Sequence, residues 1–247
     1  MHELSGQNVL ITGVSGAVGG RVATTFSGYG ARVIGTYRTG EDAARAAVGT
    51  GDILRADFGG PAAARELWRA ASAIAAIDTV VVNAAVIERT PLAGDDEAWD
   101  AGWADTLQVN VVAASTLMRE AAAAFAARGS GSVIVISSWA GQQGSRIPEL
   151  SAYAASKAAI RNVAQSMARA YARDGVLFYT IAPGVVDAGM GTAGMSDEAI
   201  RAVADGLTMG KHVEVQEIAE LAAFLATGRA PSLTGSTLDL NGASYLR

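Results

Sequence analysis

Val9-Leu10-Ile11-Thr12-Gly13-Val14-Ser15-Gly16-Ala17-Val18-Gly19 decides the fold. An apolar run enters a glycine-rich turn, and the turn opens a stretch of helical period through Arg21-Val22-Ala23. That order makes a phosphate cradle: glycine lets backbone amides approach a pyrophosphate, and the helix dipole adds about half a positive charge at its N-terminus. Gly13, Ser15, Gly16, Val18 and Gly19 are therefore expected to line a dinucleotide site.

Working outward, short Val- and Ile-rich runs alternate with longer alanine-rich stretches of helical period. The runs are Val9 to Thr12, Arg32 to Thr36, Ile53 to Ala56, Thr79 to Asn83, Ser132 to Ser137, Leu177 to Ile181 and Ser236 to Leu240. Nearly continuous apolar strands such as Val80-Val81-Val82 are those covered on both faces. The expectation is an α/β fold, a doubly wound parallel sheet of about seven strands with helices on both faces. With 247 residues, 50% of them hydrophobic, and no linker composition, one domain over residues 1–247 is expected.

Composition excludes other chemistry. Net charge is -5, with a pI of about 5.1 and no basic stripe, so nucleic acid is an unexpected partner. The apolar stretches around Ala70 to Ile77 and Ala121 to Ala127 are too short to span a bilayer, and the N-terminal residues show no secretory pattern. A cytoplasmic protein is the expectation. Without cysteine, and with only His2 and His212, neither a thiol nucleophile nor a metal site is expected.

The chain resembles the short-chain dehydrogenase/reductase superfamily, compact single-domain branch, from about residue 5 to 243, and most of all its ketoacyl-carrier-protein reductase type. The family pattern Thr-Gly-x-x-x-Gly-x-Gly has Ala17 here at its middle glycine. The resemblance implies cofactor contacts from Asp57 and Phe58, from Asn83, Ala84 and Ala85 beside the ribose, and from Pro183, Gly184 and Val186. After Pro183-Gly184, Ala188 stands where the family carries a threonine. At the end of the second strand, an acidic residue would select NAD. Here Arg38 stands instead, able to pair with a 2′-phosphate, so NADP(H) is favoured over NAD(H).

Tyr153 and Lys157 are four residues apart in an alanine-rich helical stretch, so they share a face. A tyrosine acting near neutral pH must drop from about 10 to near 7, about 4 kcal/mol. One ammonium at about 4 Å and effective dielectric of about 20 supplies as much. Lys157, helped by the positive nicotinamide ring in a partly closed site, is expected to lower Tyr153 in this way. By family register Ser138, rather than Ser137, holds the substrate oxygen while Tyr153 exchanges its proton. The resemblance further implies that Asn110 anchors a water behind the lysine, that both Tyr153 and Lys157 touch the cofactor, and that enoyl reduction is disfavoured, since that branch spaces tyrosine and lysine by seven.

On the substrate side the candidates are Ser138, Trp139, Gln143, Tyr153 and Met190, with a lid around residues 185–212. The segment from Ser138 to Tyr153 is longer than the commonest family spacing, which implies a reshaped wall. A neutral, moderately hydrophobic ketone or secondary alcohol is the expected substrate. A nucleophile elbow at Ser15 fails at Ala17, and a dehalogenase-like relative is opposed by Lys157 and the glycines. A degenerate, non-enzymatic nucleotide binder remains the alternative, on account of Ala17, Ala85 and Ala188. A homo-oligomer, dimer or tetramer, is implied by resemblance alone.

Overall fold

Each of the seven apolar runs is a strand: β1 Asn8–Ile11, β2 Arg32–Tyr37, β3 Asp52–Arg55, β4 Thr79–Val82, β5 Gly131–Ile136, β6 Val176–Pro183 and β7 Thr237–Leu240. They form one parallel sheet in the order β3-β2-β1-β4-β5-β6-β7. The structure, a computed structural model, describes residues 3–189 and 194–246. Among those residues the helices are α1 Ala17–Gly28, α2 Glu41–Val48, α3 Pro61–Ile74, α4 Asp96–Leu107, α5 Ala114–Arg128, α6 Ala140–Gln143, α7 Ser151–Tyr171, α8 Asp197–Asp205 and α9 Val215–Ala226, with a π-helical stretch Gln108–Ala113 between α4 and α5. None is long and apolar enough to cross a membrane.

Alternation along the strands sorts their side chains into two cores. Val9, Ile11, Val33, Val81, Ile134 and Ile181 pack on one face with Phe26 of α1 and Ile218 of α9. Leu10, Ile34, Val80, Val82, Val133 and Phe178 pack on the other with Leu67 of α3, Leu117 and Phe125 of α5, and Ile160 of α7. Continuous apolar strands are thus required, because neither face meets water.

β6 runs two residues beyond its apolar run. Ala182 and Pro183 pair with Asp239 and Leu240 of β7, and Gly184 N donates to the Leu240 carbonyl at 2.9 Å. At the amino-terminal rim, Asp78 joins three segments. Its carboxylate accepts from Asn8 N at 2.8 Å and lies 3.4 Å from the Arg128 guanidinium, while its carbonyl accepts from Ser132 N at 3.0 Å. At the carboxyl rim the strand order reverses between β1 and β4, the point where open α/β sheets bind ligands.

Candidate active site

The cradle is built as its sequence requires. Gly13 has φ of +77°, which glycine alone adopts at little cost. A Cβ at Gly19 would collide with the Gly13 carbonyl and lie 2.6 Å from Asn83 Nδ2, so helix α1 packs on the turn only because Gly19 has none. No side chain caps α1, and its first turn carries no acidic residue, whereas α2, α4 and α8 begin with Glu41-Asp42, Asp96-Glu97 and Asp197-Glu198. An uncapped helix N-terminus free of carboxylates suits a diphosphate. The residues present fit a dinucleotide. Ala17 is accommodated: a Cβ at Gly189, if there were one, would lie 3.3 Å from its methyl, and Gly189 has none.

Thr12 is the hub of this turn. Its hydroxyl oxygen accepts from Asn83 N at 2.9 Å and Ala84 N at 3.0 Å, and its hydroxyl donates to the Val81 carbonyl at 3.3 Å. Asn83 Nδ2 in turn donates to the Thr12 carbonyl at 2.9 Å. The Asn83 side chain therefore fixes the cradle, and Ala84 and Ala85 follow it on the rim.

At the adenosine end, Arg38 is exposed just past β2 and forms no salt bridge among the described residues. Ser15 adjoins this loop, since a Cβ on Gly40 would lie 3.4 Å from Ser15 Cβ. The β2–β3 register sets Arg55 beside Tyr37. Tyr37 itself is raised above its usual range, chiefly by its hydrogen bond to Glu41. Asp57 is exposed at the end of β3, while Phe58 is buried in the core, where its ring packs with the α3 face.

The candidate reacting groups meet above β5. Ala140 N donates to Ser138 Oγ at 3.2 Å, and the Ser138 hydroxyl bonds the Tyr153 hydroxyl. Ser137 is turned away and donates to the Lys157 carbonyl at 2.8 Å, so the two serines part as the register requires. Lys157 Nζ donates to the Ile136 carbonyl at 2.9 Å and lies 5.7 Å from the Tyr153 ring centre. One expectation is corrected. Tyr153 is raised, not lowered: burial pushes it up, the Ser138 hydrogen bond alone pulls it down, and burial also lowers Lys157 to about 8. Burial outweighs the Ser138 hydrogen bond in setting the direction of the Tyr153 shift.

Asn110 lies in the π-helical stretch, a feature frequent at functional sites. Its Oδ1 accepts from Val86 N at 2.8 Å, and its Nδ2 donates to the Val86 carbonyl at 2.9 Å and to Ser156 Oγ at 3.0 Å. Ser156 donates onward to the Tyr153 carbonyl at 2.7 Å. The side chain thus braces α7 beside the tyrosine, its hydrogen bonds going to Val86 and Ser156.

A family model described as enoyl-(acyl carrier protein) reductase matches residues 13–242, from the cradle through the last strand. The chain belongs to the short-chain dehydrogenase/reductase family. The 3-oxoacyl-(acyl-carrier-protein) reductase of Escherichia coli (strain K12) is 30% identical over 253 residues, covering 99% of each chain. A solved 3-oxoacyl (acyl-carrier-protein) reductase from Agrobacterium tumefaciens C58, with NADP bound, has a TM-score of 0.86 at 31% identity and covers 98% of this chain and 95% of its own. A Beutenbergia cavernae protein described as an NAD(P)-dependent gluconate 5-dehydrogenase, holding NADP at low occupancy, has a TM-score of 0.88 at 29% identity, with 98% of each chain covered. The protein is accordingly an NAD(P)-dependent oxidoreductase of the alcohol and ketone couple.

Substrate-side residues of this family member fall unequally. Trp139 is 8% exposed and packs with Ala140, Ala154 and Leu207, and Tyr153, Val185 and Tyr245 lean on the same cluster. Gln143 is exposed, whereas Gln142 is turned inward and donates to Asp239 Oδ1 at 2.5 Å. Pro183 and Gly184 close β6, and Val186 bridges to Val213. Within the stretch expected as a lid, α8 is a regular helix capped by Ser196, and Met190 lies outside the described residues. Thr12 enters the sequence reading only as the first residue of the turn pattern, a hydroxyl ending an otherwise apolar strand, and nothing there marks Asn241 or Tyr245.

Lys157 also sets a stability prediction. Burial disfavours its ammonium, so folding carries a cost of about 3 kcal/mol through this group below pH 8, a cost that fades as pH rises from about 8 toward 10.5. Lys157→Met removes that cost but leaves the Ile136 carbonyl without its donor, a loss of about 1–3 kcal/mol. The cofactor-free variant is expected to melt about 2–4 °C above the parent at pH 7. Thermal unfolding at pH 10 should show that advantage gone or reversed; an advantage that grows with pH refutes the assignment.

Proposed function

We propose that this protein interconverts a neutral, moderately hydrophobic ketone and its secondary alcohol using NADP(H), with Tyr153 as general acid/base. The observation that carries this reading is the hydroxyl pair Ser138–Tyr153, set over buried Lys157 at the same sheet rim as the glycine cradle. Gly13 through Gly19 would hold the diphosphate, Arg38 with Ser15 the 2′-phosphate, Asp57 and Phe58 the adenine side, and Asn83, Ala84 and Ala85 the ribose side. Pro183, Gly184 and Val186 would border the nicotinamide, which when bound supplies or takes the hydride at C4.

The chain's own residues do the proton work. Ser138, oriented by the Ala140 amide, donates to the substrate oxygen. Tyr153 then delivers its proton to the oxygen as negative charge develops there. The Lys157 ammonium, of whose three N–H groups one holds the Ile136 carbonyl, stabilises the resulting phenolate in a site sheltered from water. Asn110 acts as a positioning residue, through Ser156, on the turn of α7 that carries Tyr153. Carbonyl rather than enoyl reduction agrees with the oxoacyl reductases among the relatives and with the four-residue spacing.

Arg38 makes the cofactor choice testable. Charge-assisted pairing is worth about 1.5–3 kcal/mol, so Arg38→Ala is expected to weaken NADPH about 10- to 100-fold and leave NADH unchanged. Paired NADPH and NADH fluorescence titrations with a ketone panel test the whole reading. If neither cofactor binds below millimolar, the reading fails; if the parent binds NADH more tightly, only the Arg38 assignment fails. The family resemblance also supports a cytoplasmic homo-oligomer, dimer or tetramer, which light scattering would measure.

A further inference from the structure

We infer that Tyr245, held in place by a strained turn after β7, is a specificity-determining wall of the substrate pocket; the inference rests on the ketone/alcohol reading above. Past Leu240 the chain reverses through Gly242 and Ala243, with φ of +57° and +59°. Ala243 is the single non-glycine residue with positive φ among those described. Such strain persists only where surrounding contacts over-determine it, and it concentrates at ligand clamps. Here the contacts come from two sides. Buried Asn241 grips the backbone of Tyr245, donating from Nδ2 to its carbonyl at 3.1 Å and accepting from its amide at 3.5 Å. Thr208, in the segment between α8 and α9, donates from its hydroxyl to the Ala243 carbonyl at 3.2 Å and from its amide to Ser244 Oγ at 3.1 Å.

The outcome of the turn is the placement of one ring. Tyr245 packs on the cluster of Trp139, Ala140, Ala154 and Leu207, on which Tyr153 and Val185 also lean. Tyr153 leans on the same cluster, and its Trp139 directly follows Ser138 in the chain, so the tail ring shares a packed cluster with the tyrosine assigned the proton transfer. A ring here limits how far a ketone's larger arm extends. The pocket should favour compact or cyclic ketones over long linear ones. Tail and lid segment are fastened together at Thr208, so the wall and the segment between α8 and α9 act as one piece.

The test measures kcat/KM with NADPH for cyclohexanone and 2-decanone. In Tyr245→Ala the ratio for 2-decanone over cyclohexanone is expected to rise about 10-fold or more, the discrimination that a few methylenes in an apolar pocket provide. Tyr245→Phe keeps the ring and should leave the ratio unchanged. Thr208→Val, which cuts the staple, should move the ratio in the same direction by a smaller factor. If the alanine variant does not fold, Tyr245→Leu, which retains apolar cover, is measured instead with the same expectation. A ratio unchanged in the truncated variant, or an equal fall for both ketones, overturns the inference while the function stands. A parent enzyme that reduces neither ketone overturns the ketone reading and the inference with it.

Discussion

Tyr153→Phe is expected to lower kcat about a thousandfold, the middle of the range for a positioned general acid, and to leave NADPH affinity within about twofold. Phenylalanine keeps the ring's packing beside the Trp139 cluster, so the fold has no reason to change. What is lost is the hydroxyl that Ser138 bonds. The size of the effect follows from the electrostatics. Burial raises Tyr153 and lowers Lys157 to about 8, so the phenolate is poorly favoured. On this reading chemistry depends on the Tyr153 hydroxyl being presented at the moment charge develops. Single-turnover kinetics with saturating NADPH separates this step from release. Turnover within tenfold of the parent would exclude Tyr153 as the proton donor.

Gly19→Ala should be nearly as damaging, by a different route. The added methyl would run into the Gly13 carbonyl and approach Asn83 Nδ2 at 2.6 Å, both of which are fixed by the Thr12 network. Overpacking of this kind costs about 1–3 kcal/mol, which for a chain of this size lowers the melting point by about 3–10 °C. Because relief requires α1 to move off the turn, NADPH binding should weaken about 100-fold, well beyond the stability loss. Gly28→Ala is the control: it lies at the far end of α1, nothing stands within 4 Å of the Cβ it would add, and the variant should bind NADPH within about threefold of the parent. Equal behaviour of the two variants would show that the cradle does not depend on the α1 packing described here.

The seven strands and the cradle are legible in the sequence because their causes are local. Apolar runs covered on both faces, glycines at a strand-to-helix turn, and two residues four apart on a helix all write themselves into short windows of sequence. Register separates Ser138 from Ser137, and their hydroxyls have different partners: Ser137 donates to the Lys157 carbonyl, and Ser138 Oγ accepts from Ala140 N. What sequence does not reach is long-range. The charge state of Tyr153 depends on burial, which helical spacing does not reveal, and so the direction of its shift runs opposite to the expectation. Asn83 reads as a contact beside the ribose and Asn110, by resemblance, as the anchor of a water behind Lys157; what the sequence does not show is that their amides also tie segments 71 and 24 residues away, at Thr12 and Val86. Gln142 rather than Gln143 points inward because α6 is a single turn whose phase is set by its packing on α7. Tyr245 has no signal at all until the turn at Ala243 is seen.

The Asp78 junction at the amino-terminal rim has a meaning for how such a protein can diverge. One carboxylate and its neighbouring carbonyl hold the starts of β1, β4 and β5 in step, on the rim where no candidate reacting group lies. Strand register is thereby anchored at one end, and the loops at the other end are left to change length and composition without the strands slipping. The longer segment after Ser138 and the alanines at the cofactor rim are changes of that kind. A scaffold clamped from below allows its chemistry to be rewritten from above, so new substrate selectivity in this chain should be sought in the upper loops with Asp78, Asn8 and Arg128 held constant.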